Sequence, residues 1–234
     1  MPLKKKNQPV RKSKIRVKKH SRDLTHQLFF PLVILAGLMW FLYRSLFNFP
    51  VWFDEIIGKA IFFGLPVWVY VSVTGFRPII DTFRLKKLQP GLLKGLVLGA
   101  VFGLVTIFMR FAITGYKIQP LLIFFADRFW WEMLLALFTA FWETIFFFSF
   151  VMTVIQDRFV KWSLSKQIVL LTLIFLLFHI PNAFLRFDLM MVLPLLSLLT
   201  MFAVGQGLIF SEKQNGFLLI MSHTIWGMVL LIYF

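Results

Sequence analysis

Apolar runs of about 20 residues, the length needed to cross a hydrocarbon core, recur at 28–47, 56–75, 92–114, 130–155, 167–187, 189–210 and 216–234. They predict an all-α, polytopic membrane bundle of about seven transmembrane helices. The run at 56–75 is the least regular, with Lys59 near one end and Pro66 inside. Residues 117–129, KIQPLLIFFADRF, are too short to span. They are expected to lie in the membrane interface or to prolong the fourth helix.

Polar residues within the runs are few, and they fall on helical faces. On the fourth run Glu132, Ala136, Thr139, Ala140 and Glu143 recur at helical spacing and form one small-and-polar face. Thr172, Phe175, His179, Asn182 and Arg186 do the same on the fifth, and Ser222, His223, Trp226 and Gly227 form a shorter patch on the seventh. The third run carries Gly91, Gly95, Gly99 and Gly103, a stripe that predicts close approach of a neighbouring helix. Glu143 stands in FTAFWETIFFFSF, residues 138–150, with no lysine or arginine in the window. An ionised carboxylate in hydrocarbon is costly, so such a residue needs a partner or a purpose.

Composition agrees with the pattern. Of 234 residues 59% are hydrophobic, 31 are Phe, and the mean hydropathy is +0.83. Charged residues make up 15%, against about a quarter in soluble domains. The chain is therefore read as a multi-pass integral membrane protein, with a prokaryotic plasma membrane as the expected location. Cysteine is absent, which excludes disulfides and thiolate ligands.

The net charge of +15 comes largely from the ends of the apolar runs and from the tail. Ten of the 25 lysines and arginines precede residue 23. Residues 1–27 read as a basic cytoplasmic tail lying against anionic lipid headgroups, ahead of a transmembrane bundle at 28–234. No nucleic-acid partner is expected, because the tail lacks aromatic residues interleaved in a folded basic surface. A cleavable signal peptide is excluded by the length of the basic stretch and the lack of a small-residue cleavage site. Alternating the connections puts the tail, the 76–94 link, the 156–166 link and the 211–215 link on one side with most of the basic residues. That asymmetry predicts a cytoplasmic N-terminus and an external C-terminus.

Three residues carry candidate chemistry: Glu143, His179 and His223. At about 1.5 Å per residue, Glu143 and His179 lie about 18 Å from the cytoplasmic ends of their helices and His223 about 10 Å. All three are expected in the cytoplasmic half of the bilayer. His20 and His26 precede the first run, so no other histidine lies within the apolar runs. A carboxylate and a histidine can activate water while a second histidine donates to a developing oxyanion. The same set could hold zinc with a water, although HExxH-type spacing is absent, or form a proton relay in a transporter. No cofactor follows from the sequence, and a divalent metal such as zinc stays open.

At these residues the chain resembles the CPBP family of intramembrane proteases, which includes type II CAAX prenyl proteases and bacteriocin-immunity proteins. The family pattern is EExxxR on one helix, FxxxH on a second and, on a third, HxxxN or a small residue in place of the asparagine. FWETIFFFSF keeps the first glutamate as Glu143, IFLLFHIPNAF supplies Phe175 and His179, and SHTIWG supplies His223. The stretch 205–227, GQGLIFSEKQNGFLLIMSHTIWG, is similar to the family's third-motif region, and the resemblance covers about 130–234. It implies an intramembrane endopeptidase cleaving membrane-associated or prenylated-like peptides, with Glu143 and His179 activating water and His223 serving the oxyanion. The second glutamate of the pattern is Thr144, its arginine is Phe148, and the asparagine of HxxxN is Gly227. Without the arginine no counter-charge for Glu143 is visible, which opens a neutral carboxyl as an alternative to the ionised base. The alternative implied is a non-catalytic relative acting as a membrane binding or immunity protein. The expected partners are membrane lipids and a membrane-associated peptide or protein substrate.

Overall fold

The computed structural model describes residues 10–113, 128–186 and 189–233, with the side chains of 10–26, 113, 186 and 231–233 left aside. Among them the chain is a bundle of helices joined by short connections. The principal helices are α1 (Val10–Leu46), α2 (Val51–Thr74), α3 (Leu88–Ile113), α4 (Phe129–Arg158), α5 (Leu164–Arg186), α6 (Leu189–Lys213) and α7 (Gly216–Tyr233). The first six spans are long and apolar enough to cross a membrane; α7 is shorter, its apolar part running from Gly216 to Leu230. The expectation for 117–129 falls largely outside the described residues. α1 continues the first span back through the basic tail to Val10 without a break.

The connections sort onto two faces. On the basic face, Gly216 donates its N–H to Thr82 O (3.0 Å), and Lys87 Nζ donates to Gln214 O (2.6 Å). Arg158 stacks over Phe30, 4.7 Å from the ring centroid, which brings the end of α4 to the start of the first span. The α6–α7 turn is tight. Gln214 takes a left-handed conformation (φ 45°), and Asn215 Oδ1 accepts the N–H of Phe217 (3.1 Å) to cap α7. On the opposite face Arg44, at the end of α1, pairs with Asp54 of α2. Exposed Trp52, Trp130 and Trp131 ring that face and exposed Trp162 sits at the basic one, where indoles favour the membrane interface.

The second span starts earlier than expected, at Val51 rather than 56, so Asp54, Glu55 and Lys59 lie inside a helix. They tolerate burial because each has an internal partner: Asp54 has Arg44 and the Tyr43 hydroxyl (2.5 Å), and Lys59 has two carboxylates. Lys59 is therefore an interior residue, not a link charge.

The glycine stripe packs α3 against α7, as its spacing predicts. A Cβ on Gly95 would sit 2.6 Å from Leu218 O, and one on Gly99 would sit 2.6 Å from Ile225 Cβ. Only hydrogen at these positions lets the two backbones come so near.

Two helices carry wide π turns. In α4 the nine residues Thr144–Met152 are π-helical, beginning directly after Glu143. In α2, Asp54–Gly58 and Ala60–Gly64 flank Lys59 in the same way. Such segments are rare and occur often at functional sites. Here the α4 segment is packed on all sides: Phe146, Phe147, Phe148 and Phe150 are fully buried against Phe63, Tyr70, Phe175 and Phe178.

Candidate active site

Glu143 is the last α-helical residue before the π turn of α4, and it is 4% exposed. His179 reaches it from α5 and His223 from α7. His179 Nε2 lies 3.4 Å and His223 Nε2 lies 3.6 Å from the same oxygen, Glu143 Oε2. The three residues singled out by the motifs thus meet at one carboxylate oxygen.

Each ring is held from behind. His179 Nδ1 lies 2.8 Å from the carbonyl of Phe175, one turn earlier, and the imidazole stacks on the Phe175 ring with centroids 4.1 Å apart. A carbonyl can only accept, so Nδ1 carries the hydrogen, and in the neutral ring Nε2 is left as an acceptor facing Glu143. The FxxxH spacing thereby sets a tautomer as well as a stacking partner. His223 packs against Phe202 at 4.7 Å, and Phe202 stacks on Trp226 at 3.9 Å. Trp226 is fixed in turn by an N–H donated to Thr106 Oγ1 (2.8 Å). Among the described residues His223 Nδ1 is buried without a partner.

The other oxygen of Glu143 is occupied by a residue outside the expected set. Lys59 Nζ lies 2.6 Å from Glu143 Oε1 and 2.5 Å from Glu55 Oε2. Glu55 Oε2 also accepts a hydrogen bond from Thr139 Oγ1 (2.6 Å). The counter-charge missing from the motif is thus present: Glu143 has a buried cation, supplied by α2 rather than by its own helix. Phe148, at the arginine position of the family pattern, faces the core between Phe175 and Phe210, at 6.4 Å from each ring. A signal for the pair was present in DEIIGK, where Glu55 and Lys59 stand four residues apart on one helical face.

These groups line a cavity of about 260 Å³. Its polar floor is Glu55, Lys59, Glu143, His179 and His223, and its apolar wall includes Leu195, Leu199 and Trp226. Asn182, one turn beyond His179, and Gly227, one turn beyond His223, face the same space. Asn182 Oδ1 is buried without a partner. The depth expectation is revised, because Glu143 lies halfway along α4 and His179 is past the middle of α5 toward the opposite face. The site therefore sits about halfway along these helices rather than nearer their tail-side ends.

Among the described residues no group of three or more histidine, aspartate or glutamate side chains is arranged to hold a metal ion. Lys59 Nζ occupies Glu143 Oε1, which leaves Oε2 and the two imidazole Nε2 atoms toward the cavity.

Residues 125–229 match the model of the family described as type II CAAX prenyl endopeptidase Rce1-like. This is the region, and the kind of protease, to which the three motifs point. No curated protein and no solved structure matches the chain.

Proposed function

We propose that the protein is an intramembrane endopeptidase in which Glu143 and His179 activate a water and His223 stabilises the oxyanion. The observation that carries this reading is the convergence of both histidines on Glu143 Oε2. Two acceptors, Glu143 Oε2 and His179 Nε2, face one point with no hydrogen between them. A water placed there donates one hydrogen to each and keeps a lone pair directed into the cavity. Attack on a peptide carbonyl transfers a proton from that water to Glu143, which then delivers it to the leaving amine. His223 presents Nε2 to the same space, and with the hydrogen on that nitrogen it donates to the developing oxyanion. The match of residues 125–229 to a prenyl endopeptidase family supports peptide hydrolysis as the chemistry.

Lys59 has a defined part in this scheme. Its contact with Oε1 aims the carboxylate and leaves Oε2 for the water. Asn182 offers a carboxamide to the backbone of a bound peptide, in a cavity where Gly227 offers none. The apolar wall suits a membrane-associated peptide as substrate.

Replacing Glu143 by Gln keeps shape but removes the proton acceptor. Membrane-peptide fragments compared between wild type and Glu143→Gln, at equal protein levels, should differ, with cleavage reduced by about 10²–10⁴-fold. His179→Ala should act alike. Identical fragment patterns in the two strains would rule out proteolysis.

A further inference from the structure

Taking the proteolytic reading as its premise, we infer that the site is loaded from the face opposite the basic tail. Its substrates are then exported peptides held at the extracytoplasmic surface, not lipidated tails presented by the cytosol.

Two independent observations carry this. The first is the direction in which the cavity runs. From its floor at Lys59 and Glu143 it is lined by successive turns toward one face only: Glu132 at the start of α4, Val51 at the start of α2 and Leu230 near the end of α7. Val51, a lining residue, is 52% exposed, so the lining reaches the surface of the bundle on this face. Toward the basic face the interior is closed. Thr144, Phe146, Phe147, Phe148, Ser149 and Phe150 are all at 0% exposure, directly below Glu143. Ser149 accepts a hydrogen bond from Thr82 (2.9 Å), and Gln206 donates to Ser222 (2.7 Å), which ties the remaining helices together beneath the site. Among the described residues no lining residue of the cavity lies on that side.

The second observation is charge. The connections on the closed face hold Arg77, Arg84, Lys86, Lys87, Arg158, Lys161 and Lys213, and the tail adds ten more basic residues. On the mouth face, Arg44 is engaged with Asp54 and Lys59 is no surface charge, which leaves Arg110, Lys117, Arg128 and Arg186 along the sequence there. The structure thus sharpens the asymmetry seen along the chain, and the positive-inside rule assigns the closed face to the cytoplasm. The mouth itself carries Glu132 among apolar residues.

The chain has no cysteine, so a single introduced thiol reports its own side of the membrane. Val51→Cys at the mouth and Lys161→Cys on the closed face avoid the polar floor of the site. With a membrane-impermeant maleimide, intact cells should label Val51→Cys as fully as lysed cells do. Lys161→Cys should stay at background until the membrane is permeabilised. The reverse pattern, or labelling of both in intact cells, overturns the inference without touching the chemistry. Fragment maps supply the second arm: bonds whose cleavage is lost in Glu143→Gln should lie in extracytoplasmic segments, and cytoplasmic ones would overturn it. No Glu143-dependent fragment at all would refute the protease reading instead, since the labelling does not depend on activity.

Discussion

Lys59 is the residue whose replacement tests the site most severely. Its ammonium lies 2.6 Å from one buried carboxylate and 2.5 Å from another, with side-chain exposures of 4% for Lys59, 5% for Glu143 and 12% for Glu55. At an effective dielectric of about 20, unit charges at that separation attract by about 6 kcal/mol. Burying the charges costs most of that back, so the assembled cluster is close to neutral for stability. Lys59→Met upsets the balance. It keeps much of the apolar stem, but it leaves two carboxylates facing each other without a cation. Breaking a buried pair in this way costs about 3–5 kcal/mol, measurable by equilibrium unfolding in mixed micelles. Cleavage of Glu143-dependent fragments should fall with it, because a carboxylate that takes up a proton to relieve the repulsion can no longer accept one from water. A second substitution separates charge from shape. Glu55→Gln placed in the Lys59→Met background removes one of the stranded charges, and it should recover part of the stability. The double variant should therefore be more stable than the sum of the single changes predicts. Lys59→Met with unfolding free energy and cleavage both within error of wild type would refute the ion-pair account of the site.

Gly227→Asn restores the family's amide opposite His223; a Cβ there meets only Ala136 Cβ, at 3.9 Å. Cleavage should rise by up to the 10²–10³-fold associated with one oxyanion donor, read as kcat on a Glu143-dependent peptide. Gly99→Ala should destabilise the fold by about 1–3 kcal/mol, because its methyl would sit 2.6 Å from Ile225 Cβ; unchanged unfolding would refute the α3–α7 packing. Phe148→Arg, although it recreates the family's motif, should fail to rescue Lys59→Met and should lower protein abundance, since the side chain would enter the Phe175–Phe210 core.

The parts of the site visible along the chain were those tied to local spacing. Phe175 and His179 are one turn apart, so the carbonyl contact and the ring stacking follow from helical geometry alone. The glycine stripe announced a close helix partner for the same reason. Lys59 escaped because its partner Glu143 is 84 residues away, and because a lysine near the end of an irregular run reads as a boundary charge. The start of α2 was misplaced on the same ground: Asp54 and Glu55 look like loop residues until Arg44, Lys59 and Thr139 are seen around them. The position of the site along its helices is not readable from the runs, because helix ends set the ruler and α4 and α5 extend further toward the basic face than the runs that predict them.

The π turn after Glu143 ties two properties that are usually separable. An α-helix keeps its register by its own hydrogen bonds, whereas a nine-residue wide turn depends on a fitted mould around it. Here the mould is phenylalanine: Phe146, Phe147, Phe148 and Phe150, with Phe175 and Phe178 opposite. Trimming one of these rings can let the segment tighten toward ordinary helix, and a tightened segment swings the Glu143 end of the helix away from both imidazoles. Sequence drift in this greasy patch is thus judged by aim as well as by cohesion. Variants that assemble normally yet fall silent would be its signature.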